Sequence, residues 1–207
     1  MKSLLPFCFL IILTACSDST PDQPATDTAL KDTAIFKRPP RNPYSSVDLS
    51  PIDISYFPVD YPIQKMTKKA TDPPVARVIY GRPHKQGRKI FGNLLKYGEP
   101  WRLGANEATE IEFFQTVTIQ NKSVSKNRFV MYCIPYEKHW TIVFNNNVFS
   151  WGLTPDPKMD AYKFDVPVES SSTPIEYFTI VFEKAFDGGT NLLMTWDDVL
   201  VRLPIKF

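Results

Sequence analysis

A dense group of polar and charged side chains lies between residues 82 and 107 of this 207-residue chain. The group comprises Arg82, Arg88, Trp101, Arg102, Asn106 and Glu107. Arginine presents planar guanidinium donors that match carboxylates and phosphates, and asparagine and glutamate can fix the orientation of a bound polar molecule. An aromatic ring can stack on a sugar or a peptide. These residue types predict a binding site for an envelope glycan, a peptide or another small anionic ligand.

Two other interpretations of the same residues stay open at this point. In the first, Glu107 is the base of a hydrolase or lyase and lies beside Arg88 and Arg102. In the second, these charges pair with one another in a buried ion-pair plug, and the function lies in protein contacts elsewhere on the surface. A single carboxylate with no second one at a catalytic spacing assigns no catalytic residue.

The composition argues against several other classes of function. The chain has only 2 histidines, and no recurring spacing of Cys, His and carboxylate residues predicts a metal site. The glycine-rich fingerprints of phosphate and dinucleotide sites are absent from the sequence, so no cofactor is predicted. With 24 Lys and Arg against 22 Asp and Glu, the net charge of +2 gives no basic field for nucleic acid.

The segment that carries the polar group differs from the rest of the chain in its pattern. Five of the eight glycines lie between residues 81 and 104, where the alternation of apolar and polar residues stops. A long irregular segment inside a folded domain is typical of a functional loop. Apolar residues such as Ile90, Phe91 and Leu95 lie within it, so we expect the segment to pack onto the domain.

Elsewhere apolar residues recur at every second position, which is typical of β-strands with one buried face. Residues 109–119 follow this pattern, with Thr109, Ile111 and Phe113 on the apolar side. Residues 128–134 are apolar on both faces, which predicts a central strand, and residues 139–144 follow after a short turn as the second strand of a hairpin.

Four further strands are predicted in the C-terminal part of the chain. Their sequences are "AYKFDVPV", "EYFTIVFE", "TNLLMTW" and "DVLVRLPI", with "DGG" and "DD" as turns between the last three. The total of seven to nine strands predicts an all-β fold, namely an antiparallel β-sandwich of the jelly-roll or Ig-like two-sheet type. The irregular Gly-rich segment would pack on this sandwich.

The N-terminus predicts where the protein resides. Lys2 precedes a short apolar run from Leu4 to Leu13, and small residues then lead to Cys16. This order is typical of a bacterial lipoprotein signal peptide over residues 1–15, whose removal leaves a lipidated Cys16. Acylated Cys16 would anchor the protein in the lipid bilayer of the cell envelope. We therefore expect an outer-membrane lipoprotein that faces the periplasm or the cell surface.

The remainder of the chain divides into a tether and one domain. Residues 16–51 are rich in Ser, Thr, Asp and Pro, which predicts a flexible segment that cannot bury a core. Residues 52–207 are expected to form a single domain. Cys133 is the only cysteine in that domain, and its apolar strand predicts a small buried side chain and no disulfide.

A longer motif resembles a known family. The run "GRPHKQGRKIFGNLLKYGEPWRLGANEATEIEF", residues 81–113, is similar to the signature of the bacterial domain of unknown function 2911. The likeness continues through "WTIVFN", "YFTIVFE" and "LLMTWDDVLVRLPIKF", and it covers about residues 60–207. The resemblance implies a β-rich domain found in secreted proteins and lipoproteins, and it implies no established activity. Members tend to carry Ser-Arg-Pro where this chain has Gly81, Arg82 and Pro83.

Overall fold

The computed structural model describes residues 50–185 and 188–207. The predicted signal peptide, Cys16 and the tether as far as residue 49 lie outside the described residues. The strands are β1 (Ile52–Phe57), β2 (Ala76–Gly81), β3 (Thr109–Phe113), β4 (Val117–Ile119), β5 (Lys122–Val124), β6 (Asn127–Pro135), β7 (His139–Asn145), β8 (Asp160–Lys184) and β9 (Thr190–Ile205). The predicted all-β class is confirmed.

Two short helices accompany the strands. Helix α1 (Tyr61–Met66) begins with a proline in its first turn, where the missing amide costs no hydrogen bond, and a 3₁₀ helix spans Pro157–Met159. Neither helix was apparent from the period of the apolar residues. Among the described residues, no helix has the length and apolar character needed to cross a membrane.

Seven of the strands form one curled antiparallel sheet. Their order is β1-β2-β3-β6-β7-β8-β9, and β4 pairs with β5 in a separate two-stranded sheet. The jelly-roll or Ig-like pair of facing sheets is therefore not confirmed. The main sheet curls because β8 is long and bent, so that residues 160–167 pair with β7 and residues 168–184 pair with residues 190–201 of β9.

The C-terminal strands are longer than the sequence predicts. Four separate strands were expected over this region, whereas the structure joins them into β8, of 25 residues, and β9, of 16 residues. Register shifts between Ser170 and Ile175, and again before Thr179, bend β8 without ending it. Asp197 has a φ of 55° within β9, so the "DD" pair bends a strand where we expected a turn.

The stretch 109–119 also differs from its prediction in one respect. Its inward side is buried as expected, at Thr109, Ile111, Phe113, Val117 and Ile119. The structure divides it into β3 and β4, because the chain leaves the main sheet after β3 and pairs with β5. A bridge between Thr118 and Lys206 connects the small sheet to the end of β9.

Strand β6 lies at the centre of the main sheet, between β3 and β7, as its apolar faces predict. The predicted β6–β7 hairpin is also confirmed. Cys133 on β6 is fully buried and forms no disulfide with any described residue. Burial raises the pKa of its thiol well above the ordinary value. Cys133 therefore acts as a small hydrophobic side chain of the core, which confirms its prediction.

The irregular segment between β2 and β3 packs onto the sheet, as predicted. Ile90, Phe91 and Leu103 within it are buried. Near its start, the amide of Phe178 on β8 donates a 3.0 Å hydrogen bond to the carbonyl of Pro83. Near its end, the backbones of Trp101 and Cys133 exchange two hydrogen bonds of 2.7 and 2.9 Å. The segment thus runs from the bend of β8 to the centre of the sheet.

A close approach of two backbones explains one glycine of the segment. A Cβ atom added at Gly81 would lie 2.1 Å from the carbonyl oxygen of Ala105, which no real Cβ atom tolerates. The serine that is typical of the resembling family at this position would require the loop around Ala105 to shift. Glycine is needed here so that the end of β2 and the loop before β3 can touch.

Candidate functional site

Trp101 lies at the centre of an aromatic cluster in the core. Its ring centroid is 4.8 Å from that of Phe178, 5.8 Å from Trp196, 5.9 Å from Trp140 and 6.4 Å from Phe91. The side chain is buried, and its indole nitrogen donates a 3.3 Å hydrogen bond to the carbonyl of Gly104. The cluster holds the end of the irregular segment rigidly against the sheet.

Arg82 belongs to a structural cluster on the β1 side of the segment. Its Nη1 donates to Asp53 Oδ2 at 3.1 Å and its Nε donates to the carbonyl of Phe178 at 3.3 Å. The guanidinium also lies over the ring of Tyr177, 5.7 Å from the centroid. The hydroxyl of Tyr80 donates to the same Asp53 oxygen at 3.4 Å. We call Asp53, Tyr80 and Arg82 the Asp53 cluster.

A cleft of about 290 Å³ opens on the other side of the same segment. Arg88, Trp101 and Arg102 line it together with backbone atoms of Gly104, Ala105 and Gly152. Apolar side chains form the rest of the wall, namely Pro83, Leu94, Leu95, Pro100, Leu153 and Trp196. The structure therefore brings three of the six candidate residues into one cleft, which we call the arginine cleft.

Backbone carbonyls of the preceding turn hold the side chain of Arg88 at this cleft. Its Nε donates a 2.8 Å hydrogen bond to the carbonyl of Lys85, and its Nη2 donates to the carbonyl of His84. Both acceptors are backbone atoms of the turn that precedes Arg88. The side chain is exposed. The turn thus orients the guanidinium without neutralising its charge, and Nη1 makes no recorded hydrogen bond within the described part of the chain.

Arg102 is more enclosed than Arg88. Its Nη1 donates to the carbonyl of Asn106, and no hydrogen bond from its Nε or Nη2 is recorded among the described residues. Burial lowers the pKa of the Arg102 guanidinium below its ordinary value, while the charge of Glu107 acts in the opposite direction. Arginine nevertheless stays protonated at any physiological pH. A cation that is partly removed from water and paired only with a carbonyl remains attractive to an anion.

Asn106 and Glu107, like Arg82, do not line the cleft. Glu107 is exposed, and no nitrogen of Arg88 or Arg102 lies within 4.0 Å of its carboxylate in the described structure. Asn106 has a φ of 65°, and its amide donates a 3.2 Å hydrogen bond to the carbonyl of Ser50. Glu107 does not line the cleft, although its charge acts on the guanidinium of Arg102.

The two arginines of the cleft differ from the other arginines of the described ranges in their ion pairing. Arg77, Arg82, Arg128 and Arg202 each form an ion pair with a carboxylate, at distances between 2.5 and 3.5 Å. Arg88 and Arg102 form none with any described residue. Among the described arginines, the two without a carboxylate within 4.0 Å are therefore the two that line the cleft.

The structure adds residues that the sequence did not indicate. Gly152 and Leu153, in the loop between β7 and β8, form one wall of the cleft, and Trp196 on β9 contributes to its lining. Gly152 has a φ of 80°, and a Cβ atom there would lie 3.0 Å from the Cβ atoms of Arg102 and Ala108. Only glycine allows this loop to approach Arg102 so closely, so the glycine that follows Trp151 in the sequence could have indicated the contact.

The described residues contain no group of three or more His, Cys, Asp or Glu side chains placed to hold a metal ion.

The fold and the cleft define a β-rich domain with an arginine-lined depression beside an aromatic core. The sequence profile of the family described as "Protein of unknown function (DUF2911)" matches residues 62–205. The chain belongs to this family, which confirms the resemblance of the 81–113 motif. No curated protein and no solved structure matches the chain.

Proposed function

We propose that this domain is a binding module whose arginine cleft takes a small anionic ligand. The observation that carries the proposal is the contrast among the arginines of the described ranges, in which only Arg88 and Arg102 lack a carboxylate partner. Hydrogen bonds between a guanidinium group and an anion are short and charge-assisted. An anion in the cleft would supply the counterion that the protein itself does not.

The rigidity of the site supports this role. Arg88 is oriented by two backbone carbonyls, and Arg102 is bonded to a third, so both guanidinium groups are positioned before a ligand arrives. The floor rests on the buried ring of Trp101. Preorganised donors lose little conformational entropy on binding, which favours affinity. The volume of about 290 Å³ lies at the lower end of the range for ligand pockets.

A thermal-shift experiment on the full-length chain tests the proposal. Acetate, phosphate, citrate and short acidic peptides are added to the wild type and to an Arg88→Ala/Arg102→Ala variant. A ligand at ten times its dissociation constant should raise the wild-type midpoint by about 3–6 °C. Arg128→Ala is the matched control, because Arg128 is an exposed, ion-paired arginine on β6 outside the cleft. A shift that persists in the double variant, or no shift with any anion, contradicts the proposal.

We further propose that the module is held at the cell envelope by a lipid on Cys16. The support is the order of Lys2, the apolar run from Leu4 to Leu13 and the small residues before Cys16. Expression in a bacterium with an alkyne-tagged fatty acid tests this directly. The wild type should carry the label and sediment with membranes, whereas Cys16→Ser should do neither. A labelled Cys16→Ser chain, or an unlabelled wild type, contradicts anchoring at this residue.

A further inference from the structure

The walls of the arginine cleft are mainly apolar. Besides the two arginines, its side chains come from proline, leucine and tryptophan residues, including Leu94, Leu95, Leu153 and Trp196. Water at such walls gains few hydrogen bonds, so an apolar group that replaces it is favoured. A site for an inorganic anion alone would instead surround the anion with donors. The lining of the cleft therefore favours a ligand that carries an apolar group as well as a negative charge.

The apolar wall continues to the exposed surface. Leu94 is 44 % exposed and Leu153 is 67 % exposed, although both contact the cleft. Trp151, at 58 % exposure, lies in the same loop as Leu153. Large apolar side chains that remain accessible around a concave site are typical of a surface that a ligand covers. The apolar part of the ligand would lie between the segment after Arg88 and the β7–β8 loop.

The two tryptophans of the lining do not offer an open stacking face. Trp101 is 9 % exposed and Trp196 is 2 % exposed, because their rings are stacked on each other at a centroid distance of 5.8 Å. A sugar ring needs an accessible aromatic face together with several hydrogen-bonding side chains around its hydroxyl groups. The arginine cleft offers two guanidinium groups and aliphatic walls instead, which disfavours a neutral glycan.

We infer that the ligand of the arginine cleft is a small carboxylate with an apolar body, held by Arg88 and Arg102 at its charged end and by Leu94, Leu95 and Leu153 along its body. This inference rests on the proposed function and names its ligand class. A cavity of about 150 Å³ holds benzene, so about 290 Å³ accommodates a ring or an acyl chain of several carbons with its carboxylate. A free acid and the C-terminal residue of a short peptide share this chemistry.

Calorimetric titration of the full-length chain tests the inference with a series of straight-chain acids from acetate to octanoate. Affinity should rise about three- to fourfold for each added methylene until the cleft is filled. Hexanol and hexylammonium, which match hexanoate in length but lack the negative charge, should bind at least tenfold more weakly than hexanoate. Peptide binding is tested with N-acetyl-Gly-Leu and its C-terminal amide. Only the compound with the free carboxylate should bind. Tighter binding of hexanoate would identify a free acid as the ligand, and tighter binding of the peptide acid would identify a peptide C-terminus. Both results support a carboxylate with an apolar body.

Two variants of exposed residues provide a matched comparison. Leu153→Ser should reduce the preference for hexanoate over acetate about tenfold, because it removes part of the apolar wall. Phe149→Ser should leave that preference unchanged, because Phe149 lies in the same loop, is 95 % exposed and does not line the cleft. Since both side chains are exposed, neither variant should disturb the fold. If both variants changed the preference for hexanoate over acetate equally, Leu153 would not be part of the apolar wall that contacts the ligand.

The anion site and its ligand class can fail separately in these experiments. If acetate or phosphate binds through Arg88 and Arg102 as tightly as hexanoate, the anion site stands and the apolar ligand class is wrong. If phosphate or citrate binds through Arg88 and Arg102 but no acid of the series binds, the anion site again stands and the apolar ligand class is wrong. If hexanol binds as tightly as hexanoate, or if no anion binds at all, both the anion site and its ligand class are wrong.

Discussion

The Asp53 cluster and the arginine cleft lie on the same irregular segment, yet they use arginine in opposite ways. In the cluster, Arg82 donates to a carboxylate, a backbone carbonyl and the hydroxyl of Thr179. In the cleft, Arg88 and Arg102 donate only to backbone carbonyls. A satisfied guanidinium stabilises the fold, whereas an oriented guanidinium without a counterion is available to a ligand.

The polar residues of the segment therefore fall into two groups. One part connects the segment to β1 and β8, and the other part faces solvent across an apolar cleft. Phe178 links the two parts, because its carbonyl accepts from Arg82 and its ring lies 4.8 Å from that of Trp101. The cluster therefore supports the cleft indirectly, through the aromatic core.

The largest expected effect comes from the shared core. Trp101→Ala should lower the free energy of unfolding by about 3–5 kcal/mol, because it leaves a cavity among four aromatic rings. It should also abolish ligand binding, because the floor of the cleft is lost. Urea denaturation measures the first effect. A loss below about 1 kcal/mol would show that Trp101 supports neither region. Trp101→Phe, which keeps a ring, should recover much of the stability.

Alkaline pH should weaken the Asp53 cluster through its tyrosine. Burial raises the pKa of Tyr80 from 10.0 to about 12. The unfolded chain loses this proton near pH 10, whereas the folded chain keeps it until about pH 12. Stability is thus fully present below pH 10 and falls by about 2 kcal/mol as the pH rises to 12.

Denaturation curves between pH 9 and pH 12 check this expectation. Tyr80→Phe should reduce the loss of stability per pH unit without removing it. The rest of the loss comes from Tyr132, whose pKa is also raised by its burial and its hydrogen bond to Asp160. An unchanged slope in Tyr80→Phe would show that Tyr80 ionises as readily in the folded chain as in the unfolded one.

Replacement of single arginines should separate the two regions. Arg82→Ala should cost about 1–2 kcal/mol of stability, since it leaves Asp53 and the carbonyl of Phe178 without this donor. Arg102→Ala should cost less than about 1 kcal/mol, because Arg102 makes one hydrogen bond and carries an unpaired, partly buried charge. Paired melting curves compare the variants. A larger loss in Arg102→Ala than in Arg82→Ala would reverse the assignment of the two regions.

The smallest effect is expected at Glu107. Glu107→Gln should change stability by less than about 0.5 kcal/mol, because the side chain is exposed and forms no ion pair with a described residue. Anion affinity should stay equal or rise slightly, since one negative charge near Arg102 is removed. Calorimetry on this variant gives both values. A loss of several degrees in the melting midpoint would restore the plug interpretation.

The alternation of apolar residues was enough to predict the strand-rich class, the central position of β6 and the burial of Cys133. It could not predict that β8 and β9 are each one long strand, because the register shift between Ser170 and Ile175 interrupts the apolar alternation as a turn would. The curl that follows from this bend is a property of pairing between distant strands, and a single sequence does not encode it in any local pattern.

The candidate site was predicted only as a set of residue types. Arg82 and Arg88 look alike in sequence, but the partner of Arg82 is Asp53, 29 residues earlier, and its carbonyl acceptor is Phe178, 96 residues later. Leu153 comes from a loop whose apolar residues show no period. Which arginines remain unpaired therefore depends on long-range packing.

The most direct test of the account is an NMR titration that observes the Nε–Hε signals of the arginine side chains while hexanoate is added to the full-length chain. We predict that the signals of Arg88 and Arg102 shift together and saturate at one dissociation constant, while those of Arg77, Arg82, Arg128 and Arg202 keep their positions. Signals of Arg88 and Arg102 that do not move, or a shift of Arg82 as large as theirs, would contradict the claim that the unpaired guanidinium groups form the binding site.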